Sequence, residues 1–118
     1  MENKFEELEV WRKAHQLILE IYKITGKFPR DEKYRLGDQL RRSAASVATN
    51  IVEGRSRAGK KEFIHFLSLS KSSLEETKYH LLLSKDLGYL TDQIYDELQD
   101  NCEEIGRMIN GLMKSLKT

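Results

Sequence analysis

Apolar residues recur along this chain with the period of an α-helix. In residues 10–25 (VWRKAHQLILEIYKIT), Val10, Ala14, Leu17, Ile18, Ile21 and Ile24 fall at i, i+3, i+4, i+7 spacing, which predicts an amphipathic helix. Gly26 follows as a stop, and Phe28-Pro29 as a turn, because proline disfavours a helical residue before it. A second helix is predicted from about Asp31 to Val52. Asp31 and Glu32 occupy its first turn, where carboxylates favour the positive helix end. Leu36, Leu40, Ser43, Val47 and Ile51 form its narrow face, and Gly54 ends it. Gly54 to Gly59 reads as a short basic loop. A third helix, about Lys60 to Leu87, has the seam Phe63, Leu67, Ser70, Leu74, Thr77 and Leu81, with Gly88 as its stop. Thr91 caps a fourth, about 92–117, whose seam is Ile94, Leu98, Cys102 or Asn101, Ile105, Ile109, Leu112 and Leu116. Gly106 and Gly111 inside it cost about 1 kcal/mol each against alanine, so this helix depends on packing. Short connections make each helix antiparallel to its predecessor. The predicted fold is all-α: one up-down-up-down four-helix bundle over residues 1–118.

The apolar pattern exceeds what one bundle core needs. Leu19 points away from the first stripe, Leu69 and Leu83 project opposite the third seam, and Ala44, Ala45 and Ala48 make a second, flat face on the second helix. Second apolar stripes usually meet another chain, so a homo-oligomer is expected.

Composition narrows the class. A length of 118 residues is one domain's worth, and one proline leaves too little turn punctuation for a β-sandwich. The single cysteine excludes an intrachain disulfide framework. There is no apolar run long enough to span a membrane, and the acidic, polar start is unlike a targeting peptide. A soluble cytoplasmic protein with no membrane partner is the expectation.

Candidate chemistry is sparse. A di-iron bundle needs Glu-x-x-His on two helices, and only Glu62-Phe63-Ile64-His65 matches. Glu76 and His80 could share a metal on one helix face, but Glu62, His65, Glu76 and His80 all read as lying opposite the third seam, pointing away from the core. No metal site is expected. Cys102 reads as a small buried hydrophobe with no base placed beside it. Gly54 to Gly59 lacks the phosphate-loop spacing. No catalytic residue and no cofactor is assigned, and a non-enzyme is expected.

Charge adds a different clue. The net charge is only +1, yet residues 26–62 carry 10 basic and 5 acidic side chains while residues 91–118 carry 3 and 6. Arg41, Arg42, Arg55, Arg57, Lys60 and Lys61 form a basic cluster. Cations at the start of a helix oppose its dipole, so Lys60 and Lys61 serve something other than helix stability. Such a cluster can contact phosphates, with steep salt dependence and little base specificity. No aromatic lies within 54–61 to stack bases. The alternative is charge matching with the acidic fourth helix, inside the chain or between subunits.

Three stretches carry a resemblance: VWRKAHQLILEIYKITGKFP, LRRSAASVATNIVEG and SSLEETKYHLLLSKDLGYL. The chain resembles, over about residues 5–115, the bacterial four-helix-bundle family encoded in intervening sequences of 23S ribosomal RNA genes. That family is related to the accessory variability protein of diversity-generating retroelements. Leu40-Arg41-Arg42 through Asn50-Ile51-Val52-Glu53-Gly54 is the most specific part. The family's proline before the Asn is replaced within Val47-Ala48-Thr49, and its Gly before Ser73 is Ser72. The resemblance implies a ring-like homopentamer, a nucleic-acid role with RNA or DNA, and a nucleic-acid-processing partner protein. It also implies that Arg41 and Arg42, with Asn50, Glu53 and Glu76, form a buried or interfacial network. The loop cations remain the better phosphate contacts.

Overall fold

The computed structural model describes residues 4–117, and four long helices dominate it. A 3-10 turn, Lys4–Glu7, precedes α1 (Glu9–Thr25). A single helical turn, α2 (Arg30–Lys33), leads into α3 (Leu36–Ser56), followed by α4 (Lys60–Asp86) and α5 (Asp92–Leu116). The helices alternate in direction within an envelope of 45 × 26 × 19 Å. Neighbours around the bundle are α1 with α3, α3 with α4, α4 with α5, and α5 with α1, so α3 and α5 occupy diagonal corners. Among the described residues no helix is long and apolar enough to cross a membrane.

The core follows the four predicted seams. Val10, Ala14, Leu17 and Ile21 of α1 meet Leu40, Val47 and Ile51 of α3, Leu67, Leu74 and Leu81 of α4, and Leu98, Cys102, Ile105 and Ile109 of α5. Burying each such aliphatic side chain contributes roughly 1.5–3 kcal/mol. Ala44 and Ala48, expected to form an outward face, are buried in this same core, while Leu19 and Leu69 are exposed. Leu83 is half-buried against the core.

The contact between α3 and α4 is small and polar. Thr77 Oγ1 donates to Ser43 Oγ at 2.9 Å, Ser70 Oγ donates to the Val47 carbonyl at 2.7 Å, and Ser46 and Ser73 share a hydrogen bond of 2.8 Å. Small hydroxyl residues let the backbones approach, and each bond offsets the desolvation of the hydroxyl it uses. At the far end of this contact Gly54 presses on Phe63 and Phe66.

Helix ends depart from the sequence reading in two places. The predicted second helix is broken after α2: Arg35 has φ −119° and ψ −93°, outside the helical region. The Lys33 carbonyl, which an unbroken helix would offer to the Gly37 amide, instead accepts from Arg41 Nη2 at 2.6 Å. Gly54 does not end α3, which runs on to Ser56 because this glycine is a packing contact rather than a stop. Gly88 does end α4: with φ +85° it allows the Tyr89 amide to reach the Ser84 carbonyl and its own amide to reach Lys85. Thr91 caps α5, its hydroxyl accepting from the Ile94 amide at 3.2 Å. Tyr89 packs on Phe28 and donates its hydroxyl to Glu32 at 2.9 Å, tying α2 to the α4–α5 turn.

Candidate nucleic-acid interface

The fold separates the six candidate cations into two groups. Arg41 and Arg55 are fourteen residues apart on α3, or roughly 21 Å along its axis at about 1.5 Å per residue. Arg41 and Arg42 therefore sit at one end of the bundle, and Arg55, Arg57, Lys60 and Lys61 at the other.

At the first end Arg41 turns inward. Its guanidinium donates to the Lys33 carbonyl, lies 3.9 Å from Asp38 and sits 5.8 Å from the Tyr22 ring centroid. This side chain closes the corner between α2 and α3. Arg42 is 81% exposed and pairs with Asp38 at 2.9 Å.

At the second end only three residues, Arg57–Gly59, connect α3 to α4. Arg55 lies on the last turn of α3, not in a loop, and is partly buried. Arg57 stacks over the Phe66 ring at 4.8 Å and pairs with Glu53 at 3.4 Å. Lys60 and Lys61 are exposed in the first turn of α4. Among the described residues Arg55, Lys60 and Lys61 have no ion-pair or hydrogen-bond partner. The last turn of α5 reaches this end too. Leu116 lines a cleft with Leu8, Arg55, Arg57, Ala58, Gly59, Lys60 and Phe63. Lys114 and Lys117 thereby join the basic end, a contribution the acidic average of α5 conceals in the sequence.

The network implied for Arg41, Arg42, Asn50, Glu53 and Glu76 does not form within the chain. Asn50 Nδ2 donates to the Ser46 carbonyl at 2.9 Å, Glu53 binds Arg57, and the exposed Glu76 approaches His80. The arginines are at the opposite end from Glu53, and their guanidinium contacts are taken by Asp38 and Lys33.

His80 also differs from its expected outward position. It is buried, with Nε2 3.2 Å from Glu76 Oε2 and Nδ1 unpartnered among the described residues. Its neighbours Thr77 and Ser84 are buried as well, so the α4 stripe is wider than its apolar members suggest. Glu62 and His65 are exposed as expected. Among the described residues no three His, Cys, Asp or Glu side chains gather in metal-binding reach. Burial pushes the Cys102 thiol up to about 12, with nearby Lys78 opposing the shift, so no thiolate forms at neutral pH.

Charge matching inside the chain bypasses the basic segment. Glu103 of α5 pairs with Lys78 of α4 at 2.7 Å, and Glu104 pairs with Lys13 of α1 at 3.5 Å. The Glu103 carboxyl is held below its ordinary value by the Lys78 hydrogen bond first and its charge second. Asp92, Asp96 and Asp100 form an exposed i, i+4 stripe on α5 without ion pairs among the described residues.

These features define an all-α, four-helix bundle with a group of unpaired cations beside the turn between α3 and α4. The chain belongs to the family described as 23S rRNA-intervening sequence protein, whose model matches residues 6–111. Its fold is similar to a crystal structure from Bacteroides thetaiotaomicron VPI-5482, described as a protein with unknown function from the S23 ribosomal protein family. The TM-score is 0.83 at 23% identity, covering 89% of this chain and 95% of the other. No curated protein matches the chain.

Proposed function

We propose that this protein is a non-enzymatic bundle that assembles with copies of itself, as a pentamer by the family resemblance, and binds RNA or DNA through its cationic end. A nucleic-acid-processing protein is the partner class that the resemblance implies. The observation that carries the binding reading is the set of unpaired cations Arg55, Lys60 and Lys61, placed beside Arg57 on two helices that meet across a three-residue turn. Unpaired cations grouped on one end create the positive potential that steers a polyanion. Contacts of this kind position a phosphate backbone and read little sequence.

The test is binding of the purified protein to a labelled structured RNA and a duplex DNA across salt concentrations. Four phosphate contacts on duplex predict a slope of roughly −3 to −4 in log K against log salt. The combined variant Arg55→Gln, Arg57→Gln, Lys60→Gln, Lys61→Gln weakens binding and flattens that slope, with the oligomer intact by light scattering. No binding to either at about 150 mM salt, where the screening length is about 8 Å, overturns the reading.

A second reading rests on the Asp92, Asp96, Asp100 stripe. In it the cationic end of one subunit meets this stripe on the next, and the protein is an interaction module only. The same four-residue variant would then dissociate the oligomer.

A further inference from the structure

Two arginines of α3 are partly buried, and the fold accounts for only one of them. Arg41 has the Lys33 carbonyl, Asp38 and the Tyr22 ring. Arg55 has no anionic, carbonyl or aromatic partner among the described residues. Its aliphatic stem is covered while its guanidinium nitrogens still reach solvent, so the charge stands free to take an anion. Arg55 lines the cleft at the cationic end, whose volume is about 320 Å³. One wall is apolar, formed by Leu8, Phe63 and Leu116, and the cations Arg57 and Lys60 stand beside Arg55. Arg57 is already oriented by Phe66 and Glu53, so it loses little freedom when it takes a ligand. Gly59 supplies no side-chain cap to α4, and the helix end therefore adds potential of the same sign.

The cleft has room for about one nucleotide, and its charge argues for a chain end over a continuous strand. The cleft volume lies at the lower limit of the range for small-ligand sites, about 300–1,000 Å³. Three cations converging on one cleft suit a phosphate monoester, which carries about −1.5 to −2 charges at pH 7, better than the single charge of a backbone diester. The segment 54–61 has no apolar ring of its own, but Leu8, Leu116 and the edge of the buried Phe63 give the cleft an apolar contact surface. We infer that this cleft receives the phosphorylated end of a single nucleic-acid strand, with the terminal phosphate on Arg55, Arg57 and Lys60 and the terminal base against Leu8, Phe63 and Leu116. The inference rests on the nucleic-acid reading above and specifies which feature of the strand that site takes.

The test is fluorescence anisotropy with one internally labelled single strand, prepared with a 5′-phosphate, a 3′-phosphate or hydroxyls at both ends. One phosphorylated form is expected to bind about tenfold tighter than the hydroxyl form, the gain of a charge-assisted contact set. A free nucleoside monophosphate should displace it. Arg55→Gln, and separately the exposed Lys60→Gln, should reduce the phosphorylated strand to the hydroxyl level, with circular dichroism unchanged. Equal, salt-sensitive binding of all three strands overturns the inference and leaves the nucleic-acid reading standing. Absence of binding by any strand overturns both. Binding of the free nucleoside monophosphate alone overturns the assignment to a strand end.

Discussion

Gly54 sits where α3 meets α4 beside their connecting turn, and a single methyl group there has a calculable effect. A Cβ at this position would lie 2.9 Å from Phe63 Cδ1, 2.9 Å from Phe66 Cβ and 3.3 Å from the Phe63 carbonyl oxygen. Carbon atoms pack best at about 3.5–4.0 Å, so two of these contacts are short by roughly 0.6 Å or more. Phe63 Cδ1 belongs to a ring that can tilt. Phe66 Cβ is fixed to the α4 backbone and cannot move without it, so Gly54→Ala forces α3 and α4 apart. Overpacking of this kind costs about 1–3 kcal/mol, while replacing a helical glycine with alanine returns about 1 kcal/mol. The net expectation is a loss of up to about 2 kcal/mol, largest if the α4 backbone yields little. Gly111 provides the control: it is exposed in α5, nothing lies within 4 Å of its added Cβ, and alanine there should gain about 1 kcal/mol. Each kcal/mol shifts the melting temperature of a chain this size by roughly 3–6 °C. Thermal melts at one fixed protein concentration, followed by circular dichroism, separate the two variants. A Gly54→Ala protein that gains as much in melting temperature as Gly111→Ala does would refute the close approach of α3 to α4.

Three further outcomes follow from the same geometry. Arg41→Ala, which strands the Lys33 carbonyl, should cost about 1.5–3 kcal/mol, with Arg42→Ala near neutral because its ion pair is exposed; equal losses in urea denaturation would contradict the inward role of Arg41. The pairing of Lys78 with Glu103 should stabilise the fold over a plateau bounded at both ends. Glu103 is lowered from 4.5, so its contribution is full above that value and is lost as pH falls through the folded value. Lys78 is raised from 10.5, chiefly by its hydrogen bond to Glu103, so its contribution is full below that value and is lost as pH rises. The stability gap between the parent and Lys78→Met should therefore be constant from about pH 5 to pH 10 and shrink outside, and a gap unchanged at about pH 3 would count against the pairing. Cys102, with its thiol pushed up to about 12 by burial, should resist iodoacetamide at neutral pH until denaturant is added; mass spectrometry of the folded chain checks this, and rapid modification would show the α4–α5 core to be open.

The seams were legible because helical periodicity is a local signal. Val10, Ala14, Leu17 and Ile21, then Leu36 through Ile51, Phe63 through Leu81 and Leu98 through Ile109 on their seams, are buried as their spacing predicts, while the seam members Ile18, Ile24, Ile94, Leu112 and Leu116 are half-buried at the edges. What sequence reading misplaced depends on distances across the bundle. Gly54 resembles a stop in sequence, and only the position of Phe66 on another helix makes it a spacer. Ala44 and Ala48 look like an outward face until α3 is seen to have buried neighbours on two sides. His80 had a readable signal in buried Thr77 and Ser84, three residues before and four after it, but a seam that steps from Thr77 to Leu81 and ends there passes beside it. Arg41 had none, because its partner is a carbonyl eight residues away that a break in the helix leaves free.

The same cross-bundle distances decide which cations can act together. In sequence, Arg41, Arg42, Arg55 and Arg57 look like one basic run, but α3 is a rigid rod that holds Arg41 and Arg55 about 21 Å apart. What brings cations together is the contact between α3 and α4. Ser43 with Thr77, Val47 with Ser70 and Ser46 with Ser73 hold the two backbones close, and Gly54 removes the last side chain that would separate them. Only with the helices this close does a turn of three residues suffice to carry the chain from Ser56 to Lys60. That short turn keeps Arg55 and Lys60 on the rim of one cleft instead of on a free loop. The residues that look least chemical, a row of serines and one glycine, therefore set the geometry of the cations. Substitutions in that row should alter the nucleic-acid binding proposed above without touching a charge, a change the same salt titration reads.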